Sequence, residues 1–419
     1  MGRIINQEGL VAAKNETTYV GLDVGTSKIA CVVGLHEEGS AHPSIIGLGM
    51  SATAGLRRGV VVDIEETVSS ITAALEEAER MSGVAVERAT ISVDGAHIQS
   101  LNSRGVIAVS RADHEISRED LVRVEEAAAA IQLENNRQIL QVIPRSYIVD
   151  GQPNVADPVG MSGVRLEIDT HIITAATPAI KNLTSAVFRA GININDQMIV
   201  PLASAKSVVT KKQRELGVIV VDIGAETTGV VVFEEGNISF TTVLPVGSNH
   251  ITKDLVYGLR TNIDVAEKVK LKYAVARKPK AKTAEKIDLS EFEINGTIAR
   301  NEIDKIVSSR LHEIFTMVSG ELRKAGKDSM LAAGVVLTGG GAKMPEIADF
   351  AKDVLKLPVV IGKPSGFSGL TDRINDPSFA AVIGLMLEDM EQPPVQVGIN
   401  GRVEKIFGRV KGIFKSFLP

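Results

Sequence analysis

Hydrophobic positions in this chain follow two periods. From Val218 to Phe233 (VIVVDIGAETTGVVVF) they are almost continuous, broken by Asp222-Ile223-Gly224 and resuming at Val230. That pattern predicts two strands buried on both faces and joined by a polar tip. A near copy stands at Val20–Gly34 (VGLDVGTSKIACVVG), with Asp23, Gly25, Thr26, Ser27 and Lys28 at its tip. A third apolar run, GVVLT from Gly334, ends in Gly339-Gly340-Gly341 and leads to a helix beginning near Pro345. Elsewhere the period is helical. Ile64, Val68, Ile71, Leu75, Ala78 and Met81 form one stripe, and Asp63 stands ready as its N-cap. Ile303, Val307, Leu311, Ile314, Val318 and Leu322 form another within Asn301–Ala325. Further helices are expected at Arg118–Ala130 with Ser117 as N-cap, Pro178–Ala190, Ile251–Leu259, Asp264–Ala274 and Phe379–Leu385. Strands are expected at Ser44–Ser51, Arg88–Val93, Gly105–Val109, Gln138–Val149 and Val164–Ala176.

Two matched hairpins imply two similar α/β halves, each offering a loop to one ligand between them. Strand, strand, helix and strand from Val84 to Gly163, with no glycine motif, read as a small inserted α+β domain without chemistry of its own. The expected division is residues 1–83 and 164–197 in the first lobe, 84–163 in the insert, and 198–236 and 301–365 in the second-lobe core. Residues 237–300 form a second insertion-like unit, 366–387 return to the first lobe, and 388–401 form a Pro- and Gly-rich linker.

The two tips carry phosphate chemistry. Gly25 and Gly224 let the backbone approach an anion, and Thr26, Ser27, Thr227 and Thr228 can donate to its oxygens. Carboxylates beside phosphates repel them unless a cation intervenes. Asp23 and Asp222 therefore imply Mg²⁺ held through its water shell. Nothing matches G-x-x-x-x-G-K-[ST], and no G-x-G-x-x-G follows a strand.

Composition narrows the classes. The 419 residues suffice for several domains. A net charge of −5 with no basic stripe among aromatics gives no argument for nucleic acid. The single cysteine, Cys31, sits in an apolar strand, and seven scattered histidines make no zinc pattern. No signal-peptide core and no run of 18 apolar residues is present, so the body is expected to be soluble and cytoplasmic.

The three glycine motifs in this order resemble the phosphate-1, phosphate-2 and adenosine motifs of the actin, Hsp70 and sugar-kinase superfamily. Within it the chain is similar to the FtsA family of bacterial cell-division proteins. LASAKSVV, RELGVIVVDIG, VLPVGSNHITKDLVYGL, GVVLTGGGAKMPEI and GLTDRINDPSFAAVIGL carry the likeness, which runs from about Thr18 to Pro419. It implies duplicated ribonuclease-H-like lobes with ATP between them, and an insert, subdomain 1C, at 84–163. Glu267 and Lys270 match residues flanking the adenosine, with Gly339, Gly340, Gly341 and Lys343 on its other side. By their spacing alone, Glu267 and Lys270 are equally an exposed ion pair. Val200 falls where fast hydrolases of the superfamily carry a Glu or Gln, which implies weak or no turnover. Ala225 and Glu226 depart from the glycines common at the second phosphate loop, and Glu226 would repel a phosphate unless it points away or meets Mg²⁺. Arg310 and Glu313 match positions that hold the C-terminal tail of FtsZ, although by spacing they are only a pair on a wet helix face.

Behind the linker, RVEKIFGRVKGIFKSFLP places Val403, Ile406, Phe407, Val410, Ile413, Phe414 and Phe417 on one helical face. Arg402, Lys405, Arg409, Lys411 and Lys415 occupy the other. A basic amphipathic helix at a chain end predicts an anchor on an anionic membrane surface. Docking on the body would explain the apolar stripe but not the basic face. Each basic residue adds ~1 kcal/mol near an anionic leaflet, so one tail binds weakly and a polymer of tails firmly. The expectation is an ATP-binding filament, assembling with itself, that tethers FtsZ and later division proteins to the membrane at the septum. The rival readings are a pilus-assembly or shape-determining scaffold and a sugar kinase of the same fold.

Overall fold

The computed structural model describes residues 16–279, 285–292, 297–327 and 331–391. The linker beyond Glu391 and the basic segment 402–419 lie outside the described residues.

Both apolar hairpins form. Strands β1 (Glu16–Val24) and β2 (Lys28–Glu37) pair antiparallel out to Val24↔Ile29, and β3 (Ser44–Ala52) lies antiparallel along β2. Helix α1 (Ile64–Ser82) follows, with the Asp63 carboxylate accepting from the Glu66 amide at its start. Its buried Ile71, Ala74, Leu75 and Ala78 join the core of this sheet.

Strand β4 (Arg88–Val93), expected to open the insert, belongs to the first-lobe sheet instead, parallel to β1. Every residue after Arg88 is buried, which a strand flanked on both sides explains and an edge hairpin does not. The insert begins later. It comprises β5 (Gln99–Ala108), α2 (Arg118–Ala129), β6 (Arg137–Val149), β7 (Gln152–Val155) and β8 (Arg165–Ala176). Strand order is β5-β8-β6-β7, all antiparallel. Thus β8, expected to return to the first half, is an inner strand of the insert.

The core of the insert packs Val124 and Ala128 of α2 onto Tyr147, Leu166 and Ile168. Ser117 and Asp120 form a capping box at the start of α2. Within the core the Tyr147 hydroxyl donates to Glu125 Oε1 at 3.1 Å, and burial pushes the Glu125 carboxyl up to about 7. An acid held above its unfolded pKa contributes stability below that pKa and loses it as pH rises through the folded one. Glu125→Gln, which keeps an acceptor for Tyr147, should therefore stabilise the protein by about 2 kcal/mol at pH 8 and hardly at all at pH 4.5. Urea unfolding at the two pH values measures this, and equal effects at both would refute it.

Helix α3 (Thr177–Arg189) and β9 (Asn193–Ile199), parallel to β4, complete a sheet of order β9-β4-β1-β2-β3, with the short Ser368–Gly369 strand beyond β3. Helix α4 (Val200–Val208) crosses to the second lobe, where the same topology recurs. Strands β10 (Val218–Ile223), β11 (Thr228–Glu234) and β12 (Asn237–Leu244) form the meander. Strands β13 (Val335–Thr338) and β14 (Val359–Ile361) lie parallel beyond β10. The insertion-like unit expected from residue 237 thus begins only after β12, which is sheet. It carries α5 (Ser248–Leu259) and α6 (Ile263–Tyr273). Helix α7 (Arg300–Lys324) buries its predicted stripe, and α8 (Ile347–Leu355) follows the third glycine motif.

Helix α9 (Ala380–Glu391) returns to the first lobe, packing Val382, Ile383 and Met386 on Ala30, Val32 and Leu48. It runs past the expected linker boundary at 388 because its last turn is anchored. Asp389 accepts from the Val20 amide at 2.9 Å, Thr90 Oγ1 at 2.8 Å and Asn195 Nδ2 at 2.8 Å.

Candidate functional site

The two hairpin tips, the start of α5, one side of α6 and Gly339–Gly341 line one cleft of about 590 Å³ between the lobes. Each tip follows from its sequence: a buried strand delivers an aspartate at its end, and glycine lets the chain turn back. Asp23, Gly25, Thr26, Ser27 and Lys28 reach the cleft from the first lobe. Asp222, Gly224, Thr227, Glu267, Lys270, Gly339, Gly340, Gly341 and Lys343 reach it from the second. Val200, at the start of α4, stands on its wall.

Asp23 and Asp222 both line the cleft, and so does Asp94. Asp222 accepts from Ser204 Oγ, and burial together with Asp23 and Asp94 pushes its carboxyl up to about 7. Burial likewise raises Asp23 and Asp94, the latter accepting from Thr227 Oγ1 at 2.5 Å. Asp23 Oδ1 is buried without a hydrogen-bond partner. Among the described residues no three His, Cys, Asp or Glu side chains converge on one metal position. An orphaned carboxylate oxygen in a cleft lined by two further carboxylates fits a cation carried with its water shell. Asp94 was hidden by its assignment to the insert. Its signal was legible all the same, since SVDG repeats the strand–Asp–Gly endings of LDVG and VDIG in looser form.

Thr228 does not belong to the site. It opens β11 and is fully buried, its hydroxyl donating to the Val246 carbonyl at 2.7 Å. Glu226 also points away. It accepts from the Arg58 amide at 2.9 Å and pairs with Lys253 Nζ at 2.5 Å. Burial raises its carboxyl, but these bonds outweigh burial and hold it below the usual range. The foreseen repulsion at the phosphate position therefore does not arise.

Lysines line the same cleft. Lys28 Nζ donates to Ser378 Oγ at 3.2 Å and lies 4.1 Å from the centre of the Phe379 ring, while burial lowers its pKa against the pull of Asp23. Lys343 pairs with Asp376 at 2.7 Å. On the opposite wall Lys270, almost buried, pairs with Glu267 at 2.7 Å, and the Thr252 hydroxyl donates to Glu267 at 2.6 Å. This is a fixed pair within the cleft rather than a loose surface one. Sequence reasoning also missed Ser248 and Asn249, which open α5 on the cleft wall beside the second tip.

The triple glycine serves the carboxylate as well as the cleft. Gly339 has φ 82, and a β-carbon there would stand 2.2 Å from Asp222 Oδ1. Arg310 and Glu313 lie apart from the cleft residues. Arg310 donates to both carboxylate oxygens of Asp254 at 2.7 and 2.8 Å and to Glu313 at 2.5 Å, so it ties α7 to α5. The pairing with Asp254 was not foreseen.

A family model described as cell division protein FtsA matches residues 219–384, and one described as the SHS2 domain inserted in FtsA matches 95–174. The second range coincides with the insert as its sheet delimits it. The cell division protein FtsA of Pseudomonas aeruginosa is 37% identical over 385 residues, 91% of this chain and 92% of that one. Those of Neisseria meningitidis and Bacillus subtilis are 39% identical over 368 residues (87% and 88% of the two chains) and 38% over 374 (89% and 83%). Among solved structures, the PilM-PilN type IV pilus biogenesis complex aligns with TM-score 0.65 at 17% identity, covering 89% of this chain and 98% of that one. MreB5 of Spiroplasma citri bound to ADP aligns with TM-score 0.52 at 14% identity, covering 88% and 95%. The fold is actin-like, and with relatives this similar over nearly its whole length the chain belongs to the FtsA family of bacterial cell-division proteins.

Proposed function

We propose that this chain binds ATP with Mg²⁺ in the cleft, polymerises on the cytoplasmic face of the membrane, and holds the C-terminal tail of FtsZ at the division site. The observation that carries the nucleotide reading is the buried, unpartnered Asp23 oxygen lying between phosphate-type loops from both lobes. Asp23 and Asp222 would hold the hydrated cation, Gly25, Thr26, Ser27 and Gly224 would cradle phosphates, and Glu267, Lys270 and Gly340 would flank the nucleoside. Bound Mg²⁺ would neutralise phosphate charge. Thr227 reaches the phosphates only by leaving Asp94.

Valine, the residue by which α4 lines the cleft, cannot orient water, so turnover is expected to be slow or absent and the nucleotide to act as a conformational ligand. Among the described residues no helix is long and apolar enough to cross a membrane, so attachment is assigned to the basic segment 402–419. Arg310 and Glu313, displayed on α7 and fixed by Asp254, are assigned to the FtsZ tail. Later division proteins would dock on the assembled filament. The pilus-scaffold reading rests on fold likeness alone, and the sugar-kinase reading lacks a catalytic base at position 200.

Co-sedimentation with vesicles tests the assignment, using ATP and Mg²⁺ and comparing the intact chain with one ending at Gly401. The intact chain should pellet with anionic lipid at least tenfold more than the shortened one, and less with neutral lipid. Equal behaviour of the two chains, with ATP consumed at enzymatic rates, would overturn the tether and favour the kinase.

A further inference from the structure

A small first-lobe hairpin, Leu56–Arg57 paired with Val60–Val61, touches the second lobe at its tip. The tip is Arg58-Gly59, both at positive φ (50° and 77°). Such two-residue turns favour Asn-Gly, and an arginine is strained there. The strain aims the Arg58 amide across the cleft at Glu226 Oε2, 2.9 Å away. Glu226 is fixed from its own side by Lys253 of α5 at 2.5 Å. One residue further, Thr227 of the second lobe donates to Asp94 of the first at 2.5 Å.

The tip is seated from behind as well. The Gly59 amide donates to Thr26 Oγ1 at 2.9 Å, and a β-carbon on Gly59 would stand 2.7 Å from the Gly95 nitrogen. Only glycine lets the tip lie between the first phosphate loop and the Asp94 turn. Two consecutive residues of the second lobe are thus bonded to two first-lobe loops that rest on each other. A threonine hydroxyl has one proton, and that of Thr227 is committed to a carboxylate.

We propose that Glu226 and Asp94 latch the lobes together across the phosphate end of the cleft, and that a nucleotide enters by opening this latch and taking Thr227 from Asp94. Glu226 lies outside the cleft lining, so its bond to Arg58 re-forms over the bound phosphates. The latch then slows entry and exit alike. This inference rests on the nucleotide reading above.

Stopped-flow binding of a fluorescent ATP analogue with Mg²⁺ to the full chain tests it, alongside hydrogen exchange of the segment 55–60 without nucleotide. A charge-assisted bond of this kind is worth about tenfold in an opening equilibrium. Glu226→Ala should raise association and dissociation rates about tenfold each, leaving Kd within about threefold. Glu226→Gln, which keeps an acceptor for Arg58, should fall between. The Arg58 amide should exchange slowly in the wild type and about tenfold faster in Glu226→Ala. Unchanged rates with normal binding would overturn the latch. Failure of the wild type to bind would defeat the nucleotide reading alone. The exchange experiment then still decides the latch, equal exchange in wild type and Glu226→Ala overturning it.

Discussion

Replacing Lys206 with methionine is expected to destabilise the fold by about 3–5 kcal/mol, because it removes the ammonium that neutralises a buried carboxylate. Lys206 Nζ lies 2.7 Å from Glu388 Oε2 and 2.7 Å from Glu391 Oε2, and Glu388 is wholly buried. The pair joins α4 to α9, the two helices that link the lobes. Both begin at the cleft, where Val200 and Ala381 line it, and Lys206 fastens them near the far end of α9. A buried ion pair contributes little compared with a well-packed apolar pair, but removing the ammonium takes compensating charge from a carboxylate that stays desolvated. Adding Glu388→Gln to Lys206→Met should therefore recover roughly half of the loss. The four unfolding free energies of this cycle give the coupling directly. A loss below about 1 kcal/mol for Lys206→Met would mean that water reaches Glu388 and the joint is not closed.

This joint was invisible in the sequence, which shows how far pattern reading extends. Asp389 and Glu388 sit at the start of a Pro- and Gly-rich polar stretch, and local composition assigns such residues to a linker. Their partners are 369 and 182 positions away, and composition carries no record of such distant bonds. The hairpins, by contrast, were legible because continuous β-branched runs have few other solutions in a folded chain. The helices with strong stripes were legible for the same reason. Insert boundaries were misplaced at both ends because the patterns of β4 and β8 fit either a lobe or an insert. Only pairing partners decide between those, and pairing is a long-range property. Within the site, the tips followed from sequence, whereas side-chain direction did not. Thr227 and Thr228 are chemically identical and adjacent, yet one lines the cleft from the loop and the other, the first residue of β11, donates to the Val246 carbonyl. Glu226 was identified as a departure, but its destination across the lobe boundary could not be read from its neighbours.

Asp222→Asn is expected to stabilise the nucleotide-free protein while abolishing tight Mg²⁺-nucleotide binding. Burial beside Asp23 and Asp94 pushes the Asp222 carboxyl up to about 7 from an ordinary value of 3.8. The folded state therefore binds a proton more tightly than the unfolded one. The associated stability is fully present below about pH 4 and is lost as pH rises to 7. Asparagine still accepts from Ser204 but cannot ionise, so it removes both the slope and the repulsion from the neighbouring acids. A gain of about 3 kcal/mol at pH 8, falling toward zero near pH 4, is the expected result of unfolding measurements on the apo chain. Binding runs the other way. A cation needs the carboxylate, so Mg²⁺-ATP affinity of the wild type should rise by up to about tenfold between pH 6 and 7 and flatten above, with proton release visible by calorimetry in buffers of different ionisation enthalpy. The variant should bind at least about a hundredfold more weakly, without that pH dependence. A variant less stable than the wild type at pH 8 would show that Asp222 is held for the fold. A more stable variant that has lost its ligand would show instead that the three acids are kept together, at a standing cost to stability, for the cation they receive.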